Sequence, residues 1–300
     1  MDELTLHADE GVDVFYRRWL PVGDGRAVVL VAHGMSEHSG RYARLAEALS
    51  GRGYAVYAPD HRGHGRTSSS TGVGRTGPGG IEVVLDDLHR LRARAEQEHP
   101  GQPVVLFGHS MGALLSQAYA ERHGEGLVGM ALSGSPGAAE ESYEAMVDAV
   151  RQAVEAGMGD EPMSALSGFN AEGASARTPF DWLSRDDAEV DAYIADPYCG
   201  EHHPMTYGLL ADVMRVSLDA MTPEAIGRIP TGLPILLMTG EADPASNMGA
   251  NVRELERRMR GAGLSVESRW YPDARHEILN EINRDEVTAD LLAWVARVAG

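Results

Sequence analysis

The first half of the chain alternates between short apolar runs and stretches with apolar residues at helical spacing. Residues 27–33 and 103–108 are continuous apolar runs, the pattern of strands buried on both faces. Residues 41–52, with Leu45 and Leu49 on one side, predict an amphipathic helix. Strands that alternate with helices in this way predict a mostly parallel sheet of about eight strands with helices on both faces.

The other predicted elements continue this alternation. The predicted strands span residues 13–20, 54–59, 127–133, 234–240 and 264–270. The predicted helices span residues 80–98, 111–122, 251–260 and 284–298. We place the strand at residues 13–20 on an edge of the sheet, because its apolar and polar positions alternate as in a half-buried strand.

The alternation stops between residues 137 and 230, where the sequence contains no convincing strand. Residues 138–156 are amphipathic, with Met146 and Val150 at helical spacing. A helical insertion in an otherwise regular series of strands and helices predicts a lid over the edge of the sheet that carries the site. The predicted division is a first core part at 1–136, a helical cap at 137–230 and a second core part at 231–300.

The strongest chemical signal is the sequence Gly108-His109-Ser110-Met111-Gly112. It matches the nucleophile elbow, in which a serine lies on a strained turn between a strand and a helix. The flanking glycines are needed because side chains at those positions would clash with the neighbouring backbone. A chance match in a loop is the alternative, but this motif lies between an apolar strand and a helix. We therefore predict Ser110 as the nucleophile.

A serine hydroxyl needs an adjacent base, and the base needs an orienting acid. His276 follows the last predicted strand and is the candidate base, the alternative being a histidine on a surface loop. Asp243 follows the preceding strand and is the candidate acid, with Glu241 as its rival. We favour Asp243 because it lies further past the end of the strand. The chain order of serine, aspartate and histidine is the one expected for such a sheet.

Negative charge on the tetrahedral intermediate requires backbone N–H donors. One donor should be the amide after the nucleophile, that of Met111, and the other should come from the loop after the third strand. In that loop, Met35 is the candidate.

Several motifs together resemble one known family. They are His33-Gly34-Met35-Ser36-Glu37-His38-Ser39-Gly40-Arg41-Tyr42, Pro59-Asp60-His61-Arg62-Gly63-His64-Gly65, the elbow, Gly232-Leu233-Pro234, the Asp243 loop and His276-Glu277. This combination resembles the monoacylglycerol lipase and lysophospholipase group of α/β-hydrolases. The resemblance implies the α/β-hydrolase fold, the triad Ser110, Asp243 and His276, an anion hole formed by Met35 and Met111, and an acyl-ester substrate held under a cap.

The charge of the chain argues against docking on nucleic acid or membranes. Its net charge is −19, and residues 137–230 hold 18 acidic residues against 5 arginines, a net of −13. Such a surface repels polyanions and anionic bilayers. The acidic N-terminus does not resemble a signal peptide, and the single Cys199 excludes an internal disulfide. We expect a soluble cytoplasmic enzyme that needs no cofactor or metal.

Other residues are weaker candidates for substrate contact. His33 and His109 flank the anion hole and the nucleophile, and Glu37 would bind a polar head group or lie on the surface. Met146 and Met205 belong to six methionines in the predicted cap, which line an acyl pocket or form ordinary core. His61 and His64 resemble metal ligands, but a structural loop is the favoured interpretation, because no carboxylate or cysteine completes a site.

The predicted function is hydrolysis of monoacylglycerol, lysophospholipid or similar small acyl esters by a serine carboxylester hydrolase. The same triad also serves thioesterases, peptidases and acyltransferases, and a non-catalytic binding protein on the same scaffold is a further alternative. Acyl length, leaving group and oligomeric state are left open by the sequence.

Overall fold

The computed structural model describes residues 1–138, 141–163, 169–170 and 176–300, with the backbone alone for residues 141–144. Its strands are β1 (Asp2–His7), β2 (Asp13–Trp19), β3 (Ala27–Ala32), β4 (Tyr54–Pro59), β5 (Val104–His109), β6 (Leu127–Ser133), β7 (Pro162–Met163), β8 (Met205–Thr206), β9 (Ile235–Gly240) and β10 (Val266–Tyr271). Eight of them form one sheet in the order β1-β2-β4-β3-β5-β6-β9-β10. The pairs β1–β2 and β2–β4 are antiparallel and the other neighbouring pairs are parallel, so the predicted sheet is confirmed.

Helices cover both faces of this sheet. They are α1 (Ala43–Ser50), α2 (Ser68–Thr71), α3 (Glu82–Glu98), α4 (Met111–His123), α5 (Glu141–Ala153), α6 (Asp187–Ala195), α7 (Tyr207–Ala220), α8 (Pro223–Ile226), α9 (Ala250–Gly261) and α10 (Arg284–Ala299). Helices α3, α4 and α9 contribute to one apolar core, and α1 and α10 contribute to a second core. Alternate residues of β3 point into the two cores, with Leu30 in one and Val29 in the other.

The parallel strands place four distant loops at one edge of the sheet. Because carboxyl ends of parallel strands meet at the same edge, the loops that follow β3, β5, β9 and β10 lie close together there. These loops carry the residues that the sequence singles out as candidates for chemistry. Strands β3 and β5 are buried along their whole length, so the two central loops start from rigid supports.

The predicted edge position of residues 13–20 is wrong. The strand exists as β2, but β1 lies outside it, with Leu4 opposite Tyr16 and Leu6 opposite Val14. Leu4 and Leu6 are the only apolar residues of β1, and both are half-buried. Two alternating positions in six residues are too weak a period to distinguish a strand from a polar terminus.

Between β6 and β9 the chain leaves the sheet and forms helices α5 to α8. The predicted helix at 138–156 corresponds to α5, which continues into a π-helical turn at Val154–Met158, while residues 139–140 lie outside the described residues. The expectation of no strand here is wrong, because β7 and β8 form a two-residue antiparallel ladder. Two residues per strand are too few to produce an alternating pattern.

Helix α7 anchors this segment to the core. Leu209, Val213 and Val216 of α7 belong to the same apolar core as α4. The side chain of Gln117 in α4 also donates a hydrogen bond to the carbonyl oxygen of Ala220, at the end of α7, over 2.6 Å. Helix α4, which begins directly after Ser110, therefore packs against α7 of the inserted segment.

Candidate active site

Ser110 lies on a strained turn between β5 and α4. Its backbone has φ 53° and ψ −117°, a left-handed conformation that non-glycine residues seldom adopt. The Ser110 N–H donates to the carbonyl oxygen of Ser133 over 2.9 Å, which ties the turn to β6. A Cβ at Gly108 would lie 2.2 Å from the carbonyl oxygen of Gly112, and a Cβ at Gly112 would lie 2.0 Å from that of Ala32. Both glycines are therefore required by close backbone approach.

His276 and Asp243 form a buried pair at the same edge of the sheet. The Nδ1 of His276 lies 3.0 and 3.1 Å from the two carboxylate oxygens of Asp243. Asp243 is fully buried, and one of its oxygens accepts the N–H of Ala245 over 2.9 Å. Glu241 instead lies toward solvent, where it accepts a hydrogen bond from Arg253 over 3.1 Å. The structure thus brings Asp243, and not Glu241, to the imidazole.

The surroundings of His276 favour its protonated form. Burial lowers the pKa of the imidazole, but the carboxylates of Asp243, Glu277 and Glu37 outweigh burial and raise the pKa above 6.5. The ring of His109 lies 4.9 Å from that of His276, and burial lowers the pKa of His109 to about 3. His109 is therefore a neutral neighbour that does not compete for the proton.

The two predicted anion-hole residues adjoin Ser110, Met35 in the same cavity and Met111 as the next residue of the chain. Met35, Ser110 and His276 line a small cavity of about 20 Å³. Met111 is the first residue of α4, so its N–H has no acceptor within the helix. The Met111 side chain packs in the core, which leaves the backbone amide as the group available to substrate. A Cβ on Gly34 would approach the Cβ of Ser110 to 3.2 Å, so this position also requires glycine.

A buried ion cluster adjoins the cavity. Arg41 donates to one oxygen of Glu37 over 2.9 Å and to both oxygens of Glu277 over 2.5 and 2.6 Å. The other oxygen of Glu37 accepts from the N–H of Gly34 and from the hydroxyl of Tyr42. The surface alternative for Glu37 is therefore wrong. Glu37 does line the cavity, but its oxygens already have partners in the protein.

The remaining candidates for substrate contact separate into different environments. His109 lines the cavity. His33 does not, because its Nδ1 donates to the carbonyl oxygen of Gly34 and its Nε2 accepts from the N–H of His61. The prediction that His33 contacts substrate is therefore not supported by the geometry. Met205 is buried in the apolar core and does not line the cavity, whereas Met146 is 46% exposed on α5.

Three cavity residues that the sequence did not predict come from the inserted segment. Trp182 and Leu183 lie in a 3-10 turn, Asp181–Leu183, and Tyr193 lies in α6. The ring of Trp182 lies 4.9 Å from that of His276, and the carbonyl oxygen of Leu183 accepts the N–H of Glu277 over 2.8 Å. Trp182 ends the segment Thr178-Pro179-Phe180-Asp181-Trp182, whose residues have no periodicity that predicts a contact with the cavity.

The histidines next to the cavity are structural in their contacts. The Nδ1 of His64 lies 3.1 Å from the carbonyl oxygen of Arg62. Burial lowers the pKa of His61 to about 3 and the pKa of His64 to about 4. Within the described ranges one other group brings metal-ligand types together, formed by His38, Asp196 and Cys199. The Nδ1 of His38 accepts from the N–H of Gly40, so its Nε2 carries the proton and donates to Asp196 over 3.0 Å. The imidazole thus has no free lone pair for a metal, and we assign none.

Comparisons with known proteins identify a matching family and several similar chains. The profile of the family described as serine aminopeptidase, S33, matches residues 23–283. The monoacylglycerol lipase of Mycolicibacterium smegmatis is 31% identical over 285 residues, which cover 95% of this chain and 93% of that protein. The human monoglyceride lipase is 31% identical over 242 residues, which cover 78% of this chain and 71% of that protein.

A solved structure has nearly the same fold over the whole chain. The carboxyl esterase of Bacillus coagulans, crystallised in complex with glycerol, aligns with a TM-score of 0.92 at 28% sequence identity. The alignment covers 100% of this chain and 99% of that protein. The predicted fold class and the predicted family resemblance are therefore confirmed.

Proposed function

Because the chain belongs to the serine aminopeptidase S33 family and is a serine hydrolase of esters, we propose that it cleaves monoacylglycerols and similar small single-chain acyl esters through an acyl-enzyme. The observation that supports this most directly is the shared cavity of Ser110, His276 and Met35, with Asp243 holding His276 from behind.

The proposed reaction has two acyl-transfer steps. Ser110 attacks the ester carbonyl while the Nε2 of His276 takes its proton, and Asp243 keeps the Nδ1 proton of the imidazole in place. The N–H groups of Met35 and Met111 receive the developing oxyanion. His276 then protonates the leaving alcohol, after which a water molecule attacks the acyl-enzyme with the same histidine as base. Each oxyanion donor of this type contributes about 3 kcal/mol to the transition state.

We propose residues 137–230 as a cap that opens for substrate. Trp182, Leu183 and Tyr193 cover the cavity, whose volume of about 20 Å³ is near that of one water-sized probe. We propose that these three residues move aside when an acyl ester binds. Two hydrogen bonds hold these cap residues on the loop that carries His276. The N–H of Glu277 donates to the carbonyl oxygen of Leu183 over 2.8 Å, and the side chain of Arg275 donates to that of Ser184 over 3.0 Å.

The family description also raises the possibility of an aminopeptidase, and the charges in the cavity argue against it. An aminopeptidase needs an unpaired acceptor for the substrate ammonium group. The carboxylates that line the cavity are Glu37 and Glu277, and both are already paired with Arg41. A buried ammonium group would have to compete with a bidentate guanidinium, which is unfavourable. This contrast supports neutral esters as the substrates.

A matched substrate panel tests the proposal. Monoacylglycerols and p-nitrophenyl esters of graded chain length would be compared with acyl thioesters and aminoacyl amides, with Ser110→Ala as the blank. We expect kcat/KM to be highest for an ester, by about 100-fold over the corresponding amide. A higher kcat/KM on the amide or thioester series would assign the site to one of the alternative reactions.

A further inference from the structure

Arg41 joins the two carboxylates beside the cavity in a single buried contact. Its side chain is only 11% exposed, and its guanidinium forms a bidentate pair with Glu277 and a single hydrogen bond to Glu37. A guanidinium that binds two carboxylates from different loops fixes their relative position in a plane.

Each of the two carboxylates is attached to a different part of the proposed machinery. Glu37 accepts the N–H of Gly34 over 2.5 Å, directly before the anion-hole residue Met35. Glu277 is the residue after His276, so its side chain constrains the loop that carries the base. Residues 34–37 and 276–277 are far apart in sequence, and Arg41 bridges their side chains.

The same guanidinium also contacts the cap. It lies over the ring of Tyr193 at 4.8 Å from the ring centroid. The hydroxyl of Tyr193 donates to the carbonyl oxygen of Ser36 over 2.9 Å, and that oxygen also accepts the N–H of Gly200 over 3.0 Å. Arg41 therefore contacts the anion-hole loop, the base loop and the cap at once.

We infer that Arg41 is a positioning residue. It aligns the anion hole with His276 through Glu37 and Glu277 while Tyr193 of the cap packs against its guanidinium. The inference rests on the proposed function and goes beyond it, because it assigns a role to an ion cluster that does not take part in the chemical steps.

The charges around His276 give this role a specific signature. Asp243, Glu277 and Glu37 lie around the imidazole as carboxylates. His109 lies next to it as a neutral ring, and Arg41 pairs with Glu277 and Glu37. Tyr193 and Trp182 face it from the cap without charge. Loss of a carboxylate lowers the pKa of His276, whereas exchange of one cation for another at Arg41 leaves the local charge unchanged.

The test separates geometry from charge with two variants. His276 acts as a base when neutral, so kcat/KM falls on the acid side as the imidazole takes a proton. Arg41→Lys keeps the positive charge but loses the bidentate contact. We expect kcat to fall at least about 10-fold, with no shift in the acid limb of the pH profile of kcat/KM. Glu277→Gln replaces a carboxylate with a neutral amide of the same shape. We expect the acid limb of the pH profile to move about one pH unit lower.

Arg92→Lys is the matched control, because Arg92 is as buried as Arg41 but binds Glu96 and two backbone carbonyl oxygens, none of which lines the cavity. It should behave as the unaltered enzyme. Thermal melting and fluorophosphonate labelling of Ser110 check the fold and the site of each variant. Equal kcat in Arg41→Lys and Arg92→Lys, or an unmoved acid limb in Glu277→Gln, would overturn the inference. If Arg41→Lys does not fold, the kcat of Glu277→Gln decides, because this change breaks the bidentate pair and leaves Arg41 in place. A kcat equal to that of the unaltered enzyme would then overturn the inference. Failure of the unaltered enzyme to cleave any ester would instead overturn the proposed function.

Discussion

At the scale of single residues, the proposed site depends on which carboxylate orients His276. The two candidates are two positions apart, and the sequence favours Asp243 only by its distance from the strand end. In the structure Asp243 is fully buried against the imidazole, whereas Glu241 pairs with Arg253 near the surface. Only the buried carboxylate can select the imidazole tautomer that serves Ser110.

We therefore predict opposite outcomes for two matched substitutions. Asp243→Asn should lower kcat by about 10³- to 10⁴-fold, because an amide at this position favours the wrong tautomer of His276. Glu241→Gln should change kcat by less than about twofold, since it alters an exposed ion pair. Steady-state kinetics on one p-nitrophenyl ester measures both. A crippled Glu241→Gln with an active Asp243→Asn would reverse the assignment.

The local motifs predicted more of the site than of its surroundings. Ser110, Asp243 and His276 could be identified because each follows a predicted parallel strand, so strand order alone places them at one edge. The pairing of Arg41 with Glu277 could not, because the two are 236 positions apart and no periodicity links them. Likewise, His33 looked available to substrate in sequence, but both of its ring nitrogens bind backbone groups.

At the scale of secondary-structure elements, the turn from β5 into α4 is tightly constrained by backbone contacts. The positive φ of Ser110 and the close backbone contacts at Gly108 and Gly112 occur within five residues. The core strands and helices were predictable because each has a long apolar run or a clear helical period. The β7–β8 ladder and the turn at Asp181–Leu183 were not, since both are too short for a period to be visible.

The strain of this turn gives a prediction on stability. Gly112→Ala would place a Cβ 2.0 Å from the carbonyl oxygen of Ala32, so we expect a loss of about 3 kcal/mol or more and a lower melting temperature. Gly261→Ala is the matched control in α9, where an added Cβ meets nothing within 4 Å. It should stabilise the protein by about 0.5–1 kcal/mol. Thermal melting distinguishes the two, and equal melting temperatures would contradict the proposed backbone constraint.

At the scale of the whole molecule, charge is the dominant property. The net charge is −19, and the segment that we propose as a cap carries −13 of it. No helix among the described residues is long and apolar enough to cross a bilayer. Met146 and Met158 are exposed on the surface of this segment, but they lie in an acidic setting. The charge pattern opposes adsorption to an anionic surface through a screened repulsion that weakens as salt is added.

We accordingly predict that the enzyme acts on dissolved esters. The rate should show no jump when substrate passes its solubility limit, and vesicles that contain phosphatidylglycerol should not sediment the protein at physiological salt. Vesicles of phosphatidylcholine serve as the neutral reference. Met146→Ser should leave both results unchanged. Sharp activation at the solubility limit, or sedimentation with anionic vesicles that Met146→Ser abolishes, would show that the cap docks on lipid.

The central claim is that Ser110 carries the acyl group. Its most direct test is mass spectrometry of the protein after brief reaction with a p-nitrophenyl ester and acid quench, followed by peptide mapping. We predict one acyl group per chain, located on Ser110 within Gly108-His109-Ser110-Met111-Gly112, and neither adduct nor turnover in a folded Ser110→Ala variant. An acyl group on another residue, or ester turnover by Ser110→Ala near the rate of the unaltered enzyme, would contradict the account.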